Sequence, residues 1–413
     1  MPSLLRLLLP ALPLLACCSK VQLIIDTDLG FDVDDVGAIA VGQHLAGTGK
    51  ADILAILHNT AFYEGVGGVD VLNSFYGNAG FPLGAYIGAW GSSPAAQGAQ
   101  NSYTSMIEEA YPSAVQNYDQ TPSAVKAYTE ALSAAANGTV VIASIGECTN
   151  LRDIITAEPD LFFSKVKEII YMDGGYNFGC GDSSGSGTSP WLGSTEDCDG
   201  AAQFVVDAIP PSIKQVFSLN GGDVYTGSRF SDATPCGDGP VKDAYRRYTN
   251  DGSRPSWDPI AVYMAVNGYD SLYSSLTPVT VAVDYYGRES YNADTGANQF
   301  QVWIDGDHNG DVTREIDNML CSAPCRGDCS GYEMNSMKNC YGGHGATDLE
   351  QPSTSSAGTM DLSECLALCD ETDGCEGVAV SQAGSGQVEC YRKADIDIAA
   401  CDSYIPFDTW VRK

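Results

Sequence analysis

Between Val21 and Leu320, short apolar runs alternate with stretches whose apolar residues recur at helical spacing. Val21, Leu23, Ile24 and Ile25 form the first run and predict a buried strand. Gly30 then permits a tight turn, and Val36 to Leu45 carries the period of a helix. Further strands are predicted at Ile53–Leu57, Phe81–Ile87, Thr139–Ile145, Val166–Met172 and Val216–Leu219. The clearest helix runs from Pro122 to Ala136, with Thr121 as its cap and Pro122 at its first position. Val279–Asp284 and Phe300–Asp305 read as a later strand pair, and Val312–Leu320 as a closing helix. Strands alternating with helices predict an α/β fold, a doubly wound and mostly parallel sheet.

The pattern changes after Cys321. The run CSAPCRGDCSG that starts at Cys321 is rich in Cys, Gly and Pro and reads as a stapled linker over residues 322–331, with residues 20–321 before it as one large domain. Residues 332–413 form a second unit too small to rely on its apolar core, with Cys340, Cys365, Cys369, Cys375, Cys390 and Cys401 as candidate cross-links. Their connectivity is open at this level. A Gly/Ser-rich stretch, Gly179 to Gly193, is bracketed by Cys180 and Cys198 and predicts a long loop closed by their disulfide.

Composition adds a compartment. Residues 1–19 hold one Arg and a leucine-rich core, the pattern of a secretory signal peptide. The run is too short and too broken by Pro10 and Pro13 for a membrane span, although Leu14-Leu15-Ala16-Cys17 also matches a bacterial lipobox and leaves lipid anchoring at Cys17 open. Fifteen cysteines, nine of them after residue 320, point to an oxidising, extracellular setting, secreted or at the cell surface. A net charge of -32 argues against nucleic acid as a partner, because polyanions repel. Asn137-Gly138-Thr139 is an N-glycosylation sequon.

The first strand carries the candidate chemistry. Asp26, Asp28, Asp32, Asp34 and Asp35 crowd the end of that strand and the start of the next helix. In an open α/β sheet this edge faces the ligand crevice, and like charges there repel unless a cation neutralises them. Oxygen ligands suit calcium or magnesium. An Asp-x-Asp after a first strand also occurs in haloacid dehalogenase-type phosphatases, which makes phosphatase chemistry an alternative.

Asp26-Thr27-Asp28-Leu29-Gly30 followed by Asp34-Asp35 resembles the amino-terminal fingerprint of the calcium-dependent, inosine/uridine-preferring nucleoside hydrolases. Asn59, the turn Ile145-Gly146-Glu147-Cys148-Thr149-Asn150, Met172-Asp173-Gly174-Gly175 and Ser256-Trp257-Asp258-Pro259 match later segments of that family in order. The resemblance implies a Rossmann-like hydrolase domain that cleaves the N-glycosidic bond of ribonucleosides, with Ca2+ as cofactor. Asp28 would serve as calcium ligand and as general base toward a calcium-bound water. Asp35, the Ile145 carbonyl and Asp258 would complete the protein ligands, while Asp34 and Asn59 would hold ribose hydroxyls. The family's E-x-N before its next helix is altered here: Glu196 can play the Glu, and Asn177 or Asp197 would replace the Asn. Trp90 and Trp257 match positions where purine-specific members sandwich the base. Ordinary packing is the equal alternative for both tryptophans.

The runs SECLALCDETDGCEGVAV, ECYRK and YIPFDTWVRK make residues 332–413 resemble a PAN/apple domain. That resemblance implies the nested disulfides Cys340–Cys401, Cys365–Cys390 and Cys369–Cys375, in a small α+β module that binds protein or carbohydrate. A catalytically idle hydrolase fold that works as an adhesion protein through this module is a second alternative. A homo-oligomer is left open. Asp26 reads equally as a direct contact or as an orienting neighbour, Asp32 as a solvated loop carboxylate, and His58 as a border of the site or a structural residue. Asp305 to Asp311 looks like the start of an EF-hand but lacks its closing Glu, so a polar hairpin end is expected there.

Overall fold

In the computed structural model the described residues are 20–92, 103–172, 198–218, 221–231, 236–293, 298–403 and 406–413, with the short strands Thr188–Ser189 and Gly193–Ser194. The amino-terminal part runs β1 (Val21–Thr27), α1 (Asp34–Gly47), β2 (Ala51–His58), α2 (Gly65–Phe75), β3 (Leu83–Ala85), α3 (Thr104–Ala110) and α4 (Ala124–Ala134). It continues through β4 (Val140–Ile145), α5 (Thr149–Ala157), α6 (Pro159–Lys165), β5 (Val166–Met172), α7 (Ala201–Ala208) and β6 (Lys214–Ser218). The remainder is α8 (Pro240–Thr249), α9 (Trp257–Asn267), β7 (Ser274–Pro278), β8 (Thr280–Val283), β9 (Glu289–Asn292), β10 (Gln299–Ile304) and α10 (Asn309–Cys321).

Eight strands form one sheet in the order β7-β10-β6-β5-β4-β1-β2-β3. All pairs are parallel except β7 with β10. Alternation along β1 feeds two cores, since Leu23 and Ile25 join one apolar cluster while Ile24 joins the other. The sheet is therefore covered on both faces. Its strand order reverses around β1 and β4, and Thr27 pairs with both Ile145 and His58. That register brings the ends of β1, β4 and β2 to one level, where an open α/β sheet binds its ligand.

Three local expectations change. The cap of α4 is Ser123, whose hydroxyl accepts from Lys126 N at 3.3 Å. Pro122 instead continues the extended chain, its carbonyl accepting from Ala85 N at 3.1 Å. The apolar stretches 279–284 and 300–305 are not partners. Asp284 Oδ1 accepts from Tyr286 N and Arg288 N, and Gly287 adopts φ +77°, so the chain reverses at once and β8 pairs with β9. β10 is left to lie between β6 and β7. Asp305 to Asp311 is a strand-to-helix turn rather than a hairpin end, with the Asp305 side chain capping the short turn that leads into α10.

The carboxy-terminal part contains β11 (Tyr332–Asn335), β12 (Gly345–Asp348), β13 (Gly358–Met360), α11 (Leu362–Asp370), β14 (Gly377–Gly384), β15 (Gln387–Ala394) and β16 (Phe407–Arg412). With Tyr341–Gly342 these strands make a seven-stranded sheet, and α11 opens with a reciprocal capping box between Asp361 and Glu364. Disulfides join Cys340 to Cys401, Cys365 to Cys390 and Cys369 to Cys375. Two more, Cys236–Cys321 and Cys325–Cys329, staple the connection. Cys198 is disulfide-bonded, while Cys180 lies outside the described residues. Cys148 is a buried thiol outside the disulfides.

The two parts meet along a seam. Arg326 donates to Phe75 O at 2.9 Å on one side and to Asp361 Oδ1 at 2.8 Å on the other. His44 of α1 packs beside Trp410 of β16, with ring centroids 6.4 Å apart. No helix among the described residues is long and apolar enough to cross a membrane.

Candidate active site

The site lies at the carboxyl ends of β1, β2 and β4. Asp28 follows β1, Asn59 follows β2, and Gly146 follows β4, so the common register brings the three together. A Cβ on Gly146 would stand 2.8 Å from both Asp28 Oδ1 and Asn59 Nδ2. Only glycine lets this turn close over the site. Ile145, the last residue of β4, is level with Thr27.

Two helix starts supply the remaining carboxylates. α1 begins with Asp34 and Asp35, and α9 carries Asp258 in its first turn. Small residues allow the approach, since a Cβ on Gly37 of α1 would meet Tyr245 Oη at 2.3 Å and Pro259 Cγ at 3.1 Å. Carboxylate oxygens of Asp34, Asp35 and Asp258 lie within 4.8 Å of one another. Asp258 N donates to Asp34 Oδ2 at 3.2 Å, and Thr27 Oγ1 donates to Asp35. Asp34, which the sequence assigned to ribose, therefore also borders the cation cluster.

Asp34, Asp35 and Asp258 are buried and Asp28 is half-buried, and their electrostatics follow. Burial first, then repulsion from Asp35, Glu147 and Asp34, pushes the Asp28 carboxyl well above the usual range. Burial and neighbouring aspartates do the same to Asp34 and Asp258, and Asp35 is pushed up to about 8. Such a cluster takes up either protons or a cation. The residues fit a divalent ion: the donors are oxygens, and buried Asp258 Oδ1 has no hydrogen-bond partner among the described residues. Both amide atoms of Asn59 are likewise buried without a hydrogen bond of normal geometry, available to a polar ligand.

Around this centre the structure sorts the other candidates. Asp26 is an orienting residue, its carboxylate accepting from Tyr128 Oη at 2.6 Å and Asn150 Nδ2 at 3.0 Å, with burial raising its pKa to about 7. Asp32 is not a solvated carboxylate. Arg254 Nε reaches its two oxygens at 2.8 and 2.9 Å, tying the acidic loop to the approach of α9. Both ring nitrogens of His58 sit 2.9 Å from carbonyls, those of Leu29 and Thr60, so His58 braces the loop after Asp28. Trp257 is half-buried at the start of α9, with the Arg254 guanidinium 5.2 Å from its ring. Trp90 is fully buried against Ala61, Tyr86 and Cys198, in a different cluster. Asn177, Glu196 and Asp197 lie outside the described residues.

Sequence reasoning passed over Glu147. It is 8 % exposed, and its carboxylate stands against that of Asp28. Its position inside the Ile145–Asn150 turn was the available signal.

This mostly parallel sheet with helices on both faces is similar in fold to nucleoside hydrolases of known structure. A plant nucleoside hydrolase aligns over 73 % of this chain and 99 % of its own, at 17 % identity and TM-score 0.55. An inosine-uridine preferring nucleoside hydrolase from Bacillus anthracis covers 73 % and 100 %, at 14 % identity and TM-score 0.54. A type III effector protein, XopQ, solved with adenosine diphosphate ribose, covers 74 % and 92 %, at 12 % identity and TM-score 0.51. At these identities the likeness shows the fold alone. No family model matches the chain, and no curated protein matches it.

Proposed function

We propose that this protein is an exported, calcium-dependent nucleoside N-ribohydrolase that serves extracellular nucleoside salvage, with residues 332–413 as an apple-type module binding protein or carbohydrate. The observation that carries the reading is the meeting of Asp34, Asp35 and Asp258 within 4.8 Å, with Asp28 beside them and the buried Asn59 amide alongside.

The reaction breaks a C–N bond through an oxocarbenium-like sugar, so the protein must surround the ribose with negative charge and deliver water to the anomeric carbon. Asp28, Asp35, Asp258 and the Ile145 carbonyl would hold Ca2+, which when bound supplies orientation and acidification of the attacking water. Asp28 takes the proton from that water as general base. Asp34 and Asn59 fix the ribose hydroxyls, and Asn59 is held in place by Thr149 Oγ1, which donates to its carbonyl at 2.5 Å. Asp26, through Asn150, ties the ends of β1 and β2 together, since Asn150 Nδ2 also donates to His58 O at 3.1 Å. At the rim, Trp257 is the half-exposed indole that a departing base would meet. Five described disulfides fit an oxidising, extracellular setting.

The test is release of reducing sugar from a panel of purine and pyrimidine nucleosides, with a chelator-treated control. Ribose release that disappears with chelator and returns with calcium is expected. Phosphate release from nucleotides without any sugar release would overturn the reading in favour of a phosphatase.

A further inference from the structure

The turn after β4 reads Gly146-Glu147-Cys148-Thr149-Asn150 and brings one further acid to the site. Solvent reaches little of it: Glu147 is 8 % exposed, and its Oε2 is buried without a hydrogen-bond partner of normal geometry among the described residues. It faces the Asp28 carboxylate, and the Trp90 indole N–H lies near it without reaching normal hydrogen-bond geometry.

This environment is costly for a purely structural acid. Two ionised carboxylates cannot hydrogen-bond each other, and no Lys or Arg is among the groups acting on Glu147. Asp32, by contrast, has Arg254, and Asp26 has Tyr128 and Asn150. Among the described residues Glu147 faces the Asp28 carboxylate and the Trp90 indole, and no cation. Its place is fixed by the β1–β4 register and by Gly146, whose missing Cβ lets the turn settle onto Asp28 and Asn59.

We propose that Glu147 belongs to the acidic shell of the divalent-cation site, adding a fifth carboxylate to Asp28, Asp34, Asp35 and Asp258; the inference rests on the cation-dependent reading above. A hard cation bound by oxygen gains affinity with each anionic neighbour, and calcium accommodates a larger shell than magnesium. This chain should hold calcium more tightly than it would with an uncharged residue at position 147.

The experiment measures calcium affinity of the full-length protein by calorimetry, together with terbium luminescence excited through tryptophan, for which Trp90 is well placed. Glu147→Gln should weaken calcium and terbium binding by about 10- to 100-fold, as loss of a supporting group at a metal site does. Glu147→Asp, which keeps the charge, should stay within about fivefold of wild type. Equal affinity of Glu147→Gln and wild type would sink the proposal. So would a loss in Glu147→Asp as large as in Glu147→Gln. A wild-type protein that binds neither ion refutes the cation-dependent reading itself, which is a different result from binding that ignores position 147.

Discussion

The two parts of this molecule treat buried charge in opposite ways. In the carboxy-terminal part, buried Lys393 is paired with Asp348, and buried Glu350 accepts from Arg392 Nε at 2.7 Å. In the amino-terminal part, Asp28, Asp34, Asp35, Asp258 and Glu147 face one another, with Arg254 committed to Asp32. Paired charges serve the fold; a cluster of one sign is tolerated because it does something else. Their cores differ as well. The parallel sheet is covered by Ile, Val and Leu on both faces, whereas six of the fourteen buried members of the small core are disulfide-bonded cysteines. The smaller unit uses cross-links where the larger uses apolar area.

The largest expected effect separates catalysis from stability. Asp28→Asn should lower nucleoside turnover by about 100- to 10,000-fold through loss of the base. In chelator its melting temperature should equal or exceed wild type, because the change removes a half-buried carboxylate that its acidic neighbours repel. Turnover and melting curves on the same preparation test both halves, and a variant that is active or unfolded contradicts the contrast. Lys393→Met is the counterpart. It should leave Asp348 buried and unpaired, at a cost of about 3–5 kcal/mol in urea unfolding of the carboxy-terminal part, with turnover unchanged. A loss under about 1 kcal/mol would mean that this pair is as dispensable as a surface one.

The cross-links come next. Replacing Cys340 and Cys401 together with Ala opens a connection between residues 61 apart and should cost about 2–4 kcal/mol. Limited proteolysis should then cut within residues 332–413 and spare the parallel sheet. Cleavage spread evenly over both parts would show that they unfold as one unit.

What the sequence made legible follows the same division. The parallel strands were readable because both faces are buried and most carry an apolar run, and the nearness of Asp258 to Asp34 and Asp35 was legible only through the order of the motifs. The nested disulfides of the small unit coincide with the set implied by its likeness to apple domains. Pairing of the later strands was not readable, since apolar runs at 279–284 and 300–305 carry no label for their partners; the turn at Asp284–Arg288 decides. Glu147 was not readable for a related reason. A glutamate in a turn looks solvated until the register of β1 and β4 closes the turn over it. Arg254 and Asp32, 222 residues apart, meet only through the approach of α9 to α1.

The smallest effect lies where the two parts join. His44 sits near the end of α1, the helix that begins with Asp34 and Asp35, and is 8 % exposed, with Nδ1 at 2.8 Å from Ser322 Oγ and its ring beside Trp410. Burial, with a smaller contribution from Lys50, lowers its pKa from 6.5 to about 4. The folded chain therefore holds His44 neutral over a range in which the unfolded chain is already protonated. Between pH 6.5 and about 4 the unfolded state binds more protons, so this residue's contribution is fully present above pH 6.5 and is lost as pH falls toward 4. The loss is of order 1–3 kcal/mol, at about 1.4 kcal/mol for each pKa unit. Other groups titrate in the same range, and Asp26, raised to about 7, works in the opposite sense, so the measurement must be a difference. His44→Gln keeps a side chain that can bond Ser322 and removes the titration. Urea midpoints at pH 7.5 and pH 4.5 should fall further for wild type than for His44→Gln. If both proteins lose the same stability, His44 is protonated in the folded state, and the seam between the two parts is wetter than its burial implies.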